Sequence, residues 1–163
     1  MNERIKIAIQ KSGRLTEHST TLLQKCGLII SHTKDQLIGY GENMPFDIMF
    51  VRDDDIPGLI QENLCEIGIV GANVAIEKQL SYESSQLPSQ FVLESSLDFG
   101  HCKLSFAYPE TSSIRSVNDL EGKTIATSYP FTVKNYFAEN QINARVTEFS
   151  GAVELAPSLG KAE

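Results

Sequence analysis

The sequence predicts an α/β fold with mostly parallel strands, and three observations carry that prediction. Short apolar runs of strand character alternate with segments of helical spacing along the whole chain. Several strands end in a glycine or hydroxyl turn that opens directly into a helix start. After about Gly100 the βα series resumes in a smaller form, which divides the 163 residues into a first lobe, 1–100, and a second, smaller lobe, 101–163.

The elements follow in order. Ile5, Ile7 and Ile9 alternate as a strand. A helix follows, with Thr16 as a candidate cap, Leu15, Leu22, Leu23 and Cys26 on one face, and Gly27 as its stop. Leu28 to Ile30 reads as a short strand. Leu37 to Gly41 and Phe46 to Val51 read as two more, separated by Asn43-Met44-Pro45. Asp53 to Asp55 opens a helix with Pro57 in its first turn. Ile67 to Val70 is a buried strand that leads through Gly71-Ala72-Asn73 into another helix. The polar stretch from Ser81 to Gln90, with Pro88, reads as a loop. Phe91 to Leu97 and Lys103 to Tyr108 read as strands around Asp98-Phe99-Gly100. A short capped helix from Ser116 to Leu120, a strand from Thr124 to Thr127, a helix from Pro130, a strand within Asn143 to Phe149 and a helix start after Gly151 complete the pattern.

Composition narrows the function. There are 14 basic and 21 acidic residues, a net charge of −7, which argues against general nucleic-acid binding because that needs a basic stripe. A few local cations can still hold a small polyanion. No apolar run approaches a membrane span of about 20 residues. Arg4 and Lys6 interrupt the first apolar run, so no secretory signal is read and a cytoplasmic location is expected. Cys26, Cys65 and Cys102 form no Cys-x-x-Cys pair and read as reduced, mostly buried thiols. His18, His32 and His101 have no metal-ligand spacing, and no protein metal cluster is expected.

Several nucleotide motifs fail. Gly122-Lys123-Thr124 lacks the earlier glycine of a phosphate-binding loop, whose place is taken by Val117. Gly39-x-Gly41 lacks its third glycine, whose place is taken by Met44. There is no Gly-x-Ser-x-Gly nucleophile elbow.

Four strand-to-helix junctions remain. Lys11, Ser12, Gly13 and Arg14 follow the first strand and place two cations and a permissive glycine where open α/β sheets bind ligands. They suit a phosphate, or form a turn with two solvated cations. Arg52, Asp53, Asp54 and Asp55 bring three adjacent carboxylates to a helix start, either as a cap or as a site for Mg²⁺ or ligand hydroxyls. Gly71 and Asn73 either allow close helix–strand packing or turn backbone N–H groups toward a ligand. Thr127, Ser128 and Tyr129 precede Pro130, where hydroxyls and free N–H groups form an anion cradle or where Ser128 caps the helix. In a two-lobed fold such strand ends converge on the cleft between lobes, which favours a phosphate-bearing ligand.

Taken together, Gln10-Lys11-Ser12-Gly13-Arg14-Leu15, Glu42-Asn43-Met44-Pro45, Val51 to Gly58, Leu97-Asp98-Phe99-Gly100 and Ile125 to Pro130 resemble the ATP phosphoribosyltransferase family of histidine biosynthesis, in its long, histidine-regulated form. The resemblance covers essentially the whole chain. It implies a two-lobed fold like that of periplasmic binding proteins. It also implies transfer of phosphoribosyl from phosphoribosyl pyrophosphate to N1 of ATP, with Mg²⁺ and with no protein nucleophile. By that resemblance Lys11, Arg14 and Arg52 offset substrate phosphates, Asp53 and Asp54 hold ribose hydroxyls or Mg²⁺-bound waters, and Thr127, Ser128 and Tyr129 line a second wall. ATP and phosphoribosyl pyrophosphate are the expected partners, and a homo-oligomer is expected, with neither nucleic acid nor membrane. The family continues past the residues present here into a Thr/Gly-rich phosphate loop, a return to the first lobe and a regulatory domain. The fold is therefore expected to be incomplete at its C-terminus, and the 163 residues to have little activity alone. The alternative is a non-catalytic small-molecule binding or sensor module on the same scaffold.

Overall fold

The structure, a computed structural model, describes residues 4–33 and 36–163. It divides into two compact units between Cys102 and Lys103.

In the first unit, β1 (Ile5–Gln10) is an inner strand of a five-stranded sheet, flanked on both sides by parallel neighbours. Around it stand α1 (Arg14–Lys25), β2 (Ile30–Ser31), β3 (Ile38–Gly41), β4 (Phe46–Val51), α2 (Ile56–Gln61), β5 (Ile67–Ile69) and α3 (Ala72–Ser84), in sheet order β2-β3-β4-β1-β5. β1 pairs in parallel with β4, from Ile5↔Phe46 to Gln10↔Val51, and with β5, from Ile7↔Ile67 to Ile9↔Ile69. The β2–β3 and β3–β4 pairs are antiparallel.

The period-2 pattern of β1 explains its two covered faces. Ile7 and Ile9 join Ile48, Phe50, Leu28 and Ile69 on one side, where Leu22 and Leu23 of α1 pack. Each such isoleucine contributes roughly 1.5–3 kcal/mol on burial. Ala8 points to the other side and meets Ile56 and Cys65, with Leu59 and Ile60 of α2. Small residues there let α2 lie close. Gly68 stands opposite Ala8, and a Cβ on it would come 2.5 Å from Ile56 Cγ2. The chain thus leaves β1 through α1 on one face and returns to β4, then leaves β4 through α2 on the opposite face to reach β5. The strand order reverses at β1, which makes its carboxyl end the switch point of the sheet.

The second unit holds a two-stranded parallel sheet of β6 (Thr124–Thr127) and β7 (Arg145–Glu148), with α4 (Pro130–Glu139) between them in sequence. Val133 and Phe137 of α4 form a core with Ile114, Leu120 and Ile142. Phe106 stacks on Phe137 with ring centroids 5.5 Å apart. Short 3-10 turns cover Val117–Leu120 and Val153–Leu155. The first is closed by a reciprocal capping box of Ser116 and Asp119.

The α/β class with mostly parallel strands holds, and four local expectations need correction. Residues 81–84 continue α3 instead of forming a loop. A Gln79–Glu83 hydrogen bond and Lys78 over the Tyr82 ring supply the one-turn side-chain pairs that sustain a polar helix. Residues 91–97 and 103–108 form no strand, because their backbone makes no hydrogen bond to other backbone among the described residues. Cys26 and Cys102 are exposed and only Cys65 is buried. Thr16 lies inside α1 and does not cap it. Its hydroxyl has no partner, and the helix begins at Arg14 with Gly13 as N-cap.

Candidate functional site

β1 ends at Gln10, and the chain turns through Lys11, Ser12 and Gly13 into α1. Gly13 has φ +122° and ψ −169°, a conformation open essentially to glycine alone. A Cβ at this position would lie 2.9 Å from Gln10 Oε1. That oxygen accepts a hydrogen bond from the Leu15 N–H at 3.1 Å, so the amide of Gln10 does the capping. The Lys11 N–H donates to the Val51 carbonyl at 2.7 Å and extends the β1–β4 ladder past the last strand residue. On the outside of the same helical turn, Phe99 stacks on His18 at 5.3 Å and Gly100, at φ +70°, faces Leu15 Cδ2. Lys11, Ser12, Gly13 and Arg14 are all exposed at this clamped turn.

The bond from Lys11 to Val51 sets the cationic loop beside the next junction. Arg52 is extended, Asp53–Asp55 form a 3-10 turn, and α2 begins at Ile56 with Pro57 in its first turn. No side-chain cap bond is made at either helix start, so these carboxylates are not explained as caps. Burial pushes the Asp54 carboxyl above the usual range. Asp53 and Asp55 add to the rise, while Arg52 and Lys78 oppose it.

At the end of β5, Gly71 is the N-cap of α3, and the Asn73 side chain folds back over it. A Cβ on Gly71 would meet Asn73 Oδ1 at 2.6 Å. That oxygen also accepts a weak bond from the Cys102 thiol at 3.8 Å. The space beside Gly71 is therefore filled by side chains of its own helix start and not by a strand. Three predicted junctions stand together at the carboxyl ends of the adjacent strands β4, β1 and β5, within roughly 10 Å across two strand spacings.

Thr127, Ser128 and Tyr129 lie in the second unit, at the end of β6. Their polar groups are partly committed. The buried Thr127 hydroxyl accepts from the Tyr129 N–H at 3.0 Å, and the Ser128 hydroxyl donates to the Phe149 carbonyl at 2.8 Å. Ser128 is thus not the helix cap, a place that Tyr129 takes, and its hydroxyl proton is already given to Phe149. These residues form one wall of a cavity of about 820 Å³ that is otherwise mostly apolar, with Phe106, Ile114, Leu120 and Ile125 among its lining.

Two residues escaped the sequence reading. Gln10 had a local signal, as a polar residue closing an apolar strand just before the turn it caps. Lys78 had none, because its place near Asp54 depends on the packing of α3 beside α2.

Among the described residues, no group of three or more His, Cys, Asp or Glu side chains is arranged to hold a metal, and no helix is long and apolar enough to cross a membrane.

A sheet with its switch point at β1, a cationic glycine turn on one side and uncapped carboxylates on the other define an open α/β fold with its charged turns gathered at the strand ends. Comparison with known proteins narrows the class. The chain belongs to the ATP phosphoribosyltransferase family, whose sequence model matches residues 52–163. It is 45% identical over all 163 residues to the ATP phosphoribosyltransferase of Xylella fastidiosa strain M12, covering 54% of that protein. It is also 45% identical over 161 residues to that of Stenotrophomonas maltophilia strain R551-3, covering 53% of it. The chain thus spans about half the length of the curated relatives it matches. Among solved structures it resembles the ATP phosphoribosyl transferase (HisG:HisZ) complex from Thermotoga maritima, with a TM-score of 0.64 and 27% identity over 98% of this chain and 71% of that one.

Proposed function

We propose that this chain forms part of the catalytic core of an ATP phosphoribosyltransferase of histidine biosynthesis, acting in the cytoplasm as part of an oligomer. The observation that carries the proposal is the bond from Lys11 to Val51. It sets the Lys11–Arg14 cations beside Arg52 and the uncapped carboxylates at the switch point of a family member. In the proposed reaction the lone pair of adenine N1 forms a bond to C1 of phosphoribosyl pyrophosphate. The C1–O bond breaks, and pyrophosphate leaves with its electrons. No protein nucleophile is needed, so catalysis is alignment plus management of charge at C1 and on the leaving group. Lys11, Arg14 and Arg52 offset phosphate charge. Asp53 and Asp54 accept from ribose hydroxyls. Within the second unit, Thr127 and Tyr129 are the binding candidates at the end of β6, with Ser128 limited to accepting.

Mg²⁺ fits this chemistry as an ion carried by the substrate. The Asp53–Asp55 oxygens are hard donors, with Asp54 raised by burial first and by its two carboxylate neighbours second, yet no described cluster encloses a metal. Bound there, it would neutralise charge on pyrophosphate while Asp53 and Asp54 held its waters.

Titrating the chain with ATP, and with phosphoribosyl pyrophosphate, tests the reading. Arg14→Ala is expected to weaken binding by about 1–3 kcal/mol, the range for a lost hydrogen bond to a charged group. Equal affinity in wild type and variant for both ligands would remove the loop from the site.

A further inference from the structure

We infer that Gln10 is a positioning residue for the cationic turn: its side-chain amide fixes the first turn of α1 and so determines where Lys11 and Arg14 stand. The inference rests on the reading of that turn as an anion site. Gly13, the N-cap, has no side chain to offer, and the Thr16 hydroxyl is buried without a partner. Among the described residues, the side chain that serves the Leu15 N–H is Gln10, through Oε1. The same amide fills the space over Gly13 where a Cβ would stand, so turn and side chain fix each other.

The residue type follows from reach and charge. Gln10 is half-buried at the last position of β1 and must span the turn to Leu15. Asparagine is one methylene shorter. Glutamate has the reach and accepts the same bond, but it brings a negative charge beside Lys11 and Arg14, where an incoming phosphate must sit. An amide caps the helix and stays neutral. The chemistry predicts a split between two variants. Gln10→Ala loses the geometry, whereas Gln10→Glu keeps the geometry and opposes the anion.

The test uses the 163-residue chain with ATP as probe, followed by amide exchange and by the Ser12–Leu15 resonances in a two-dimensional NMR spectrum. In Gln10→Ala, Leu15 exchange should quicken about tenfold and the ATP dissociation constant rise about tenfold, while Ile9 and Ile48 exchange as in wild type. In Gln10→Glu, Leu15 protection should return while ATP affinity stays at least tenfold weakened. Should Gln10→Ala unfold, seen as faster exchange at Ile9, the Gln10→Glu split decides alone. Unchanged Leu15 protection in Gln10→Ala, or unchanged ATP affinity in Gln10→Glu, would overturn the inference. If wild type shows no ATP shift at Ser12–Leu15, the anion-site reading fails, and Leu15 protection across the three proteins still judges the capping role.

Discussion

Replacing Gly13 with alanine puts the turn under two separable loads. The backbone there, at φ +122° and ψ −169°, lies in a region that costs a residue with a Cβ about 1–3 kcal/mol. The new methyl would also stand 2.9 Å from Gln10 Oε1 and 3.1 Å from its Cδ, too close to remain. The amide is the far end of a flexible side chain, so it yields, and its bond to Leu15 is forfeited at about 0.5–1.5 kcal/mol. The sum is about 1.5–4.5 kcal/mol, a large part of the ~5–15 kcal/mol that holds a typical domain. Urea denaturation of wild type, Gly13→Ala, Gln10→Ala and the double variant measures both loads. Once alanine occupies position 13 the Gln10 bond is already lost, so the two substitutions should be non-additive by about 1 kcal/mol. A Gly13→Ala cost under about 0.5 kcal/mol, or strict additivity, would refute the account of the turn.

Three further outcomes are expected. Gly68→Ala forces a methyl against Ile56 and Ile60 and should cost about 1–3 kcal/mol by overpacking in urea denaturation, because α2 must be pushed off the sheet to admit it. Asp54→Asn should lower turnover of a full-length enzyme carrying it while raising thermal stability at neutral pH. The folded-state carboxyl titrates above its unfolded value, so its charge costs the fold above the folded value, and the gain should vanish below the unfolded aspartate value of about 3.9. Asp119 has the opposite sign. Hydrogen bonds from the Arg115 and Ser116 N–H groups and the Ser116 hydroxyl lower its value, so its contribution is present above the usual aspartate range and lost as pH falls through the lowered value. Asp119→Ala should flatten that acid limb at the Arg115 and Ser116 amides in pH-dependent exchange.

The first unit was legible wherever a pattern is local. The alternation of Ile5, Ile7 and Ile9, the Pro57 helix start and the glycine turns after β1 and β5 all needed only near neighbours to be read, as did the Pro130 helix start of the second unit. The misreadings occurred where a remote partner decides. Phe91 to Leu97 opens on an apolar run like a strand, but a strand exists only when another backbone accepts its hydrogen bonds, and none does so among the described residues. Thr16 and Ser128 have the chemistry of caps, yet Gln10 serves the start of α1 and the Ser128 hydroxyl is spent on the Phe149 carbonyl. The Asp53–Asp55 run was visible, whereas its freedom from capping was a fact of geometry. Lys78 joined it only through the packing of two helices.

The register of β1 also makes the site a late product of folding. Its partners β4 and β5 lie about 40 and about 60 residues downstream, so the central strand waits for two long loop closures before Lys11 can find Val51. Until both close, the cations, the carboxylates and Asn73 are strangers in an open coil. A phosphate ligand of the kind proposed, bridging them, would bind only chains that have finished pairing, and by mass action would draw those chains from the unfolding equilibrium by about 2.7 kcal/mol at a hundredfold excess over Kd. Such a ligand would test a newly made chain for completed pairing.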